Sequence, residues 1–319
     1  MRFRNLITAA TIISLGVVAT LLLNSSVSEE TADPDDQYRK YFNEHYKIFA
    51  VDIPDEFTFA EEPMPLHVND VKERFDRELM VNTYWQSQSL LMFKRANRWF
   101  PVIEPILAEE GVPDDFKFLA VAESGLSNVV SPAKAVGFWQ FLKGTAGEYG
   151  LEVREGVDER YNVEASTRAA CRYLKEAYER YGSWTLAAAS YNYGQRNVSN
   201  QLKRQKADNY YDLLLNEETA RYVFRLSAMK EILSHPAKYG FHFRPDDLYN
   251  PYKTITVEVD TSIFDIPAFA KRNGINYKNF KILNPWLRDN EFNNSRGKTY
   301  DIKLPTSDDK GFRDADQKN

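Results

Sequence analysis

The sequence predicts a mainly α-helical protein in which an all-α domain precedes a small module of two strands and two helices. Helix start and stop signals recur from residue 71 to residue 240 with almost no strand pattern between them. After Pro251, apolar residues alternate with polar ones, as they do along a half-buried strand. A hydrophobic fraction of 43% over 319 residues is enough for two compact domains.

The N-terminal segment has the composition of an export signal. Arg2 and Arg4 precede residues 6–23, which carry no charge, and polar Asn24 follows. Because this apolar stretch is at the short end of what spans a bilayer, residues 1–28 are either a cleaved signal peptide or a retained membrane anchor. Both alternatives predict an exported protein of the periplasm or cell envelope.

A tether and a helical domain are predicted next. Residues 29–70 carry several acids and prolines with only short apolar runs, which is typical of a tether. The helical domain is placed at residues 71–240, and its first helix at 71–96. Further helix boundaries are indicated by Asp114 with Asp115, Ser131-Pro132, Thr145, Asn162 with Gly182, Ser183 and Glu217.

The C-terminal module is predicted at residues 252–306, followed by a frayed tail at 307–319. Its elements in chain order are a strand at 255–259, helices at 267–272 and 277–283, and a strand at 300–304.

Charge and composition exclude several functions. A net charge of −5 gives no basic field for a phosphate backbone, so nucleic acid is not expected as a partner. The four histidines show no close ligand spacing, and the single cysteine cannot form a paired-cysteine metal site. We therefore expect no metal and no cofactor. Cys171 falls at a helical core spacing, which favours a buried, inert thiol.

One carboxylate lies on an apolar helix face. Phe116, Leu119, Ala120 and Glu123 follow each other at i, i+3, i+4 and i+7. Burial on this face and a place in the last helical turn both raise the pKa of a glutamate, which suits a general acid. A solvated glutamate at a frayed helix end is equally consistent with this segment by itself.

Four segments in order carry a family resemblance. They are Glu123-Ser124, residues 131–141, residues 189–194 and residues 218–223. Together they resemble the signatures of the lysozyme-like (SLT-type) lytic transglycosylase domain, over about residues 95–235. This predicts a lysozyme-like helical catalytic domain.

The resemblance implies roles for single residues. It assigns Glu123 as the catalytic acid, and Ser124, Gln140, Tyr191 and Asn192 as residues around the acid and the sugar, with Trp139, Tyr222 and Glu218 as further substrate contacts. Trp139 and its neighbour Phe138 stand where Met and Leu are common in the family, and for Trp139 a place in the core is as consistent as sugar contact.

The resemblance also implies a mechanism with one acid. Glu123 would protonate the glycosidic oxygen between N-acetylmuramic acid and N-acetylglucosamine in peptidoglycan glycan strands, then remove a proton from the muramoyl C6 hydroxyl to give a 1,6-anhydro end. Glycosidases usually need a second carboxylate. Asp158 and Glu159 are candidates, but their sequence context indicates a solvated turn.

The C-terminal module resembles a LysM peptidoglycan-binding domain. Residues 259–262 and Leu283-Asn284-Pro285 stand at two of its typical turns. A structural cap on the helical domain is the alternative, since a usual glycine is replaced by Val259. The domain order resembles that of the membrane-bound lytic murein transglycosylase D group, and a monomer is expected.

Two other functions are consistent with the sequence. A hydrolysing muramidase of the goose-lysozyme type would share the helical fold and the acid. An inactive wall-binding protein would keep the fold without turnover. The products formed from peptidoglycan distinguish the three.

Overall fold

The computed structural model describes residues 34–45, 47–307 and 311–312. The chain divides after Ala50 into two units. In the first unit, helix α1 (Pro34–His45) is followed by residues 47–50, which form no regular structure. The predicted export segment, residues 6–23, lies outside the described residues. None of the helices in the described ranges has the length and apolar composition that crossing a bilayer requires.

The second unit begins with a helical domain, which confirms the predicted mainly α fold. Two short antiparallel hairpins interrupt its helices: β1 (Thr58–Phe59) with β2 (Glu62–Pro63), and β3 (Val153–Arg154) with β4 (Val157–Asp158). The helices are α2 (Asn69–Tyr84), α3 (Gln86–Glu109), α4 (Lys117–Ser124), α5 (Lys143–Glu148), α6 (Val163–Tyr181), α7 (Trp184–Tyr193), α8 (Gln195–Gln205) and α9 (Glu217–Ser234).

Side-chain caps set several of these boundaries. The Asn162 side chain accepts a hydrogen bond from the Ala165 amide at the start of α6, and Ser183 caps α7 in the same way. Gly182 ends α6 in a left-handed conformation. The helix predicted at 71–96 is instead two helices, because the backbone leaves the helical region at Trp85.

Helix α9 is the centre of the helical domain. It packs against α2, α4 and α7, and buried side chains occur on all its faces, as in a helix enclosed by neighbours. On α6, Cys171 is fully buried, and this burial raises the pKa of its thiol to about 12, as expected of an inert cysteine.

Part of the predicted tether belongs to the core. Phe57, Phe59 and Met64 are buried, and the ring of Phe59 packs edge-on against Phe116 at 5.5 Å. The Ala60 amide donates to the Asp115 carboxylate at 2.6 Å. The prediction of a tether through residue 70 was therefore wrong here, because these aromatic side chains cover the helical core.

The C-terminal module has the predicted strand-helix-helix-strand order. Its two strands pair antiparallel, from Thr254 opposite Pro305 to Val259 opposite Tyr300. Its own apolar core includes Phe280 and Ile302. The elements are β5 (Thr254–Val259), α10 (Ile266–Arg272), α11 (Tyr277–Leu283) and β6 (Tyr300–Pro305).

Part of the predicted tail is also packed. The ring of Phe312 lies edge-on to that of Tyr252, with centroids 4.9 Å apart, and its carbonyl accepts a hydrogen bond from the Asn279 amide. The prediction of a frayed tail at 307–319 was therefore wrong at Phe312.

The β3–β4 hairpin joins the helical domain to the module. Val157 of β4 is fully buried in the module's apolar core and forms an isolated β-bridge with Leu287. Two backbone hydrogen bonds extend this contact, from the Asp158 amide to the Trp286 carbonyl at 2.9 Å and from the Arg288 amide to the Gly156 carbonyl at 2.8 Å. The module is thus docked through a backbone ladder as well as side chains.

Candidate active site

Helix α4 positions Glu123 at the edge of the core. Phe116, Leu119 and Ala120 are fully buried on the face predicted from their spacing, and Glu123 is half-buried at its end. Gly125 ends the helix directly afterwards with a positive φ of 57°. The short helix therefore places the carboxyl group at the boundary of the core, where it is largely shielded from water.

Tyr222 of α9 contacts this carboxyl group. Its hydroxyl donates to Glu123 Oε1 at 2.5 Å, and its ring is 2% exposed, so its orientation is fixed by packing. The hydroxyl of Tyr191, at the end of α7, donates to the Trp139 carbonyl at 2.8 Å. Three of the predicted site residues, Glu123, Tyr191 and Tyr222, thus lie where α4, α7 and α9 meet.

Burial raises the pKa of Glu123. The removal of water from its carboxylate is the largest influence, and the negative charge of Glu218 acts in the same direction. The hydrogen bond from Tyr222 and the positive charge of Arg225 lower the pKa, but the net shift is upward. The site therefore favours a protonated acid.

Tyr222→Phe is expected to move the pH dependence of any reaction in which Glu123 is the acid. Loss of a bond that favours the carboxylate raises the pKa of Glu123 further, so the decline of activity with rising pH should shift to higher pH. We expect kcat to fall about tenfold, since hydrogen bonds to charged groups contribute roughly 1.5–3 kcal/mol. Initial rates measured across pH test this.

Tyr210→Phe is the matched control. Tyr210 is also a buried tyrosine packed on α9, but its hydroxyl donates to the carbonyls of Thr219 and Ala220 rather than to an acid. It should lose a similar hydrogen bond without moving the pH profile. A decline that moves to lower pH in Tyr222→Phe, or equally in both variants, would contradict the assigned contact.

Ser124 and Gln140 hold the loop beside the acid. The Ser124 hydroxyl lies 2.9 Å from the Phe138 carbonyl and 3.0 Å from the Ala120 carbonyl, which ties the end of α4 to residues 131–141. The Gln140 amide group donates to the carbonyl of Gly137 at 2.7 Å and to that of Val129 at 3.1 Å. In this arrangement both side chains fix the loop.

The loop is not the helix that Ser131-Pro132 predicts. Its backbone adopts positive φ at Lys134, Gly137 and Gln140, which a helix does not allow. At Gly137 a side chain would be impossible, because a Cβ atom would lie 2.0 Å from the Arg160 carbonyl.

Trp139 is a core residue and not a sugar contact. Its side chain has no exposed surface, and its indole Nε1–H donates to Thr167 Oγ1 at 2.9 Å. The predicted role in substrate binding was wrong, because the family motif places its carbonyl, and not its ring, beside Tyr191.

Asn192 and Glu218 connect the ends of α7 and α9. The Asn192 amide donates to the Glu218 carboxylate at 3.3 Å and accepts from the Thr219 hydroxyl at 2.8 Å. Glu218 is exposed and electrostatically coupled to Glu123. Both predicted residues therefore border the acid.

A charged cluster behind the acid was missed from the sequence. Glu78 of α2 is 1% exposed, with its carboxylate 2.6 Å from Arg221 and 3.8 Å from Arg225. It thereby holds Arg225, the cation that acts on Glu123. The available signal was a glutamate on the apolar face of α2, between the buried residues Phe75 and Leu79.

The turn at Asp158 and Glu159, predicted to be solvated, instead contains a buried ion pair between Asp158 and Arg160. The two residues are 9% and 8% exposed, and Arg160 donates to both carboxylate oxygens of Asp158, at 2.9 and 2.7 Å. The turn is buried because the module covers it. Arg160 also donates to the carbonyls of Lys134 and Phe141, so it braces the loop beside the acid.

The described ranges contain no group of three or more His, Cys, Asp and Glu side chains arranged to hold a metal ion.

Comparison with known families defines the class of both domains. Residues 101–214 match the transglycosylase SLT domain, and residues 255–308 match the soluble lytic transglycosylase C-terminal LysM-like domain. The chain thus carries an SLT domain followed by a LysM-like domain, which confirms both resemblances.

The chain is similar to two proteins named as lytic murein transglycosylases. It is 26% identical over 239 residues to membrane-bound lytic murein transglycosylase D of Escherichia coli strain K12, an alignment that covers 73% of this chain. The protein of the same name from Escherichia coli O6:H1 matches equally. The chain spans about half the length of these relatives, with 51% of each covered.

Proposed function

We propose that this chain is a peptidoglycan lytic transglycosylase that cleaves the β-1,4 bond between N-acetylmuramic acid and N-acetylglucosamine. The observation that carries the proposal is the Glu123 carboxyl group, which is desolvated, raised in pKa and oriented by Tyr222. The SLT domain and the similarity to a lytic murein transglycosylase support the choice of substrate.

In the first step Glu123 acts as the general acid. Its proton passes to the glycosidic oxygen while the bond from that oxygen to muramoyl C1 breaks, and the substrate's acetamido group stabilises the cation at C1. The raised pKa keeps the proton available near neutral pH. The carboxylate that remains is stabilised by the Tyr222 hydroxyl and by the charge of Arg225.

In the second step the same carboxylate acts as the base. It removes the proton of the muramoyl C6 hydroxyl, whose oxygen forms a bond to C1 and closes the 1,6-anhydro ring. Glu123 is then protonated again, and no water is consumed. This cycle needs one carboxyl group, consistent with the engagement of Asp158 in a buried ion pair.

Product analysis tests the reaction. Digestion of purified sacculi should release muropeptides that are lighter by one water than reducing-end products, because each carries an anhydro end. Reducing ends would instead establish a muramidase of the goose-lysozyme type. Undigested sacculi would favour an inactive wall-binding protein.

The substrate also defines a location. Peptidoglycan lies outside the cytoplasmic membrane, so we propose that the chain is exported to the cell envelope, with residues 6–23 as the signal or anchor. The relatives named above are membrane-bound by name. The LysM-like module would hold the enzyme on the glycan.

A further inference from the structure

A large cavity lies between the helical domain and the LysM-like module. Its volume is about 930 Å³, which is within the range of small-molecule sites. Helix α3 and the module both contribute to its walls, so the docked hairpin holds its two sides in place. Residues that line it include Arg95, Arg98, Trp99, Tyr161, Lys281 and Trp286.

Three cations on the cavity wall have no carboxylate partner within the described residues. Arg95 donates to the Gly125 carbonyl at 3.0 Å. Arg98 donates to the Asn250 carbonyl and the Tyr252 hydroxyl. Lys281 donates to two backbone carbonyls, and burial lowers the pKa of its ammonium group to about 8.

The other charges of the lining are largely neutralised. Glu159 is paired with Lys298, and Glu164 with Lys303. Arg168 is paired with Glu109, the last residue of α3, and with Glu110, which follows it. Among these lining residues that leaves one acid, the exposed Asp301, against the three cations above. The cavity therefore has an excess of positive charge.

Arg95 and Arg98 are arranged to bind carboxylates. They lie at i and i+3 on α3, so both project from the same side of the helix. Each guanidinium has five N–H donors, and the hydrogen bonds above use only one or two of them. A planar guanidinium is well matched to a carboxylate, which it can bind with two hydrogen bonds.

The cavity begins beside the end of α4, the helix that carries Glu123. Arg95 donates to the carbonyl of Gly125, the residue that ends α4 two positions after Glu123. The next residues, Leu126 and Ser127, line the cavity. The cavity wall and the acid therefore belong to the same short stretch of chain, residues 123–127.

We propose that this interdomain cavity binds the acidic peptide stem of peptidoglycan, with Arg95 and Arg98 on its carboxylates. The inference rests on the proposed function, because a muramoyl strand carries such a peptide on its lactyl group. Trp99 and Tyr161 provide apolar surface for the uncharged parts of the peptide.

Binding can be measured separately from cleavage. Isothermal titration of the full chain carrying Glu123→Gln would use three probes: a free stem tetrapeptide, the same peptide with its carboxylates amidated, and an uncharged N-acetylglucosamine oligomer. The tetrapeptide should bind, and amidation should weaken binding about tenfold or more, since it removes the charge-assisted hydrogen bonds to the guanidinium groups.

Protein variants locate the site. Arg95→Gln and Arg98→Gln should each weaken the tetrapeptide about tenfold, whereas Arg244→Gln, at an exposed arginine outside the cavity lining, should not. Equal binding of free and amidated peptides, absence of tetrapeptide binding, or a loss confined to the sugar oligomer would each overturn the inference. Because no cleavage is measured, failure of the proposed reaction appears only in the product analysis.

Discussion

Glu123→Gln should abolish glycan cleavage while the protein stays folded. The amide keeps the shape of the side chain but can neither donate the proton to the glycosidic oxygen nor remove one from the C6 hydroxyl. General acid–base catalysis contributes about 10²–10⁴-fold, so we expect kcat to fall at least about 10³-fold when one group performs both steps. Release of muropeptides from sacculi under single-turnover conditions measures the loss.

The same substitution should increase stability at neutral pH. Burial raises the pKa of Glu123 in the folded protein above its value in the unfolded chain. The protonated side chain therefore contributes its full stability at pH below the unfolded pKa, and this stability is lost as pH rises through the folded pKa. Glutamine has no charge to desolvate. Urea unfolding at pH 7 should therefore give a higher midpoint for the variant than for wild type.

Glu218→Gln is the matched control for the acid. Glu218 is an exposed carboxylate beside the same site, and its charge raises the pKa of Glu123. Its removal should shift the decline of activity to lower pH and reduce kcat less than the change at Glu123. Comparable losses in both variants, or wild-type turnover by Glu123→Gln, would refute the assignment of Glu123 as the acid.

Arg160→Met should cause the largest loss of stability among the charged residues considered. It leaves the buried Asp158 carboxylate without its partner, and breaking a buried ion pair costs roughly 3–5 kcal/mol. It also removes two hydrogen bonds to the loop at residues 131–141. Urea unfolding followed by tryptophan fluorescence gives the change in the free energy of unfolding.

Two further variants identify the cause. The double variant Asp158→Leu with Arg160→Met removes both charges and should recover much of the lost stability. Arg244→Met breaks the ion pair between Arg244 and Asp247, which is also local in sequence but whose arginine is exposed. This variant should leave the unfolding midpoint unchanged. If Arg160→Met unfolds at the wild-type midpoint, the pair does not stabilise the fold.

The parts of the fold that were predicted correctly depend on local signals. Helix α6 begins after an asparagine cap and ends at a glycine, and the chemistry of these two residues is independent of the rest of the chain. The alternating strands β5 and β6 are a second example. The position of Glu123 on the apolar face of α4 also follows from spacing alone.

The errors come from contacts that are distant in sequence. Phe57 and Phe59 lie among acids and prolines without helical or strand periodicity, and only their packing on the core shows that they belong to the domain. Ser131-Pro132 has the composition of a helix start, but Arg160 binds the Lys134 carbonyl and Gln140 binds the Gly137 carbonyl, both of which a helix would need. The burial of Asp158 likewise depends on the module that covers it.

The site was predicted only in part, because its remaining contacts are also distant in sequence. A family motif identifies which positions matter, but not which atom of each residue faces the site. Trp139 contributes its carbonyl and Gln140 holds the loop. Arg225 and Glu78 lie outside the motifs: Arg225 acts on the acid electrostatically, and Glu78 pairs with Arg225. Only the tertiary structure joins them.

The β3–β4 hairpin has a consequence for engineering this protein. Val157 completes the apolar core of the module. Exchange of residues 252–306 alone would therefore leave a hole in the transferred module and an uncovered Val157 on the helical domain that stays behind. A functional chimaera should therefore transfer residues 153–160 together with the module. The unit of recombination in this protein is discontinuous along the chain.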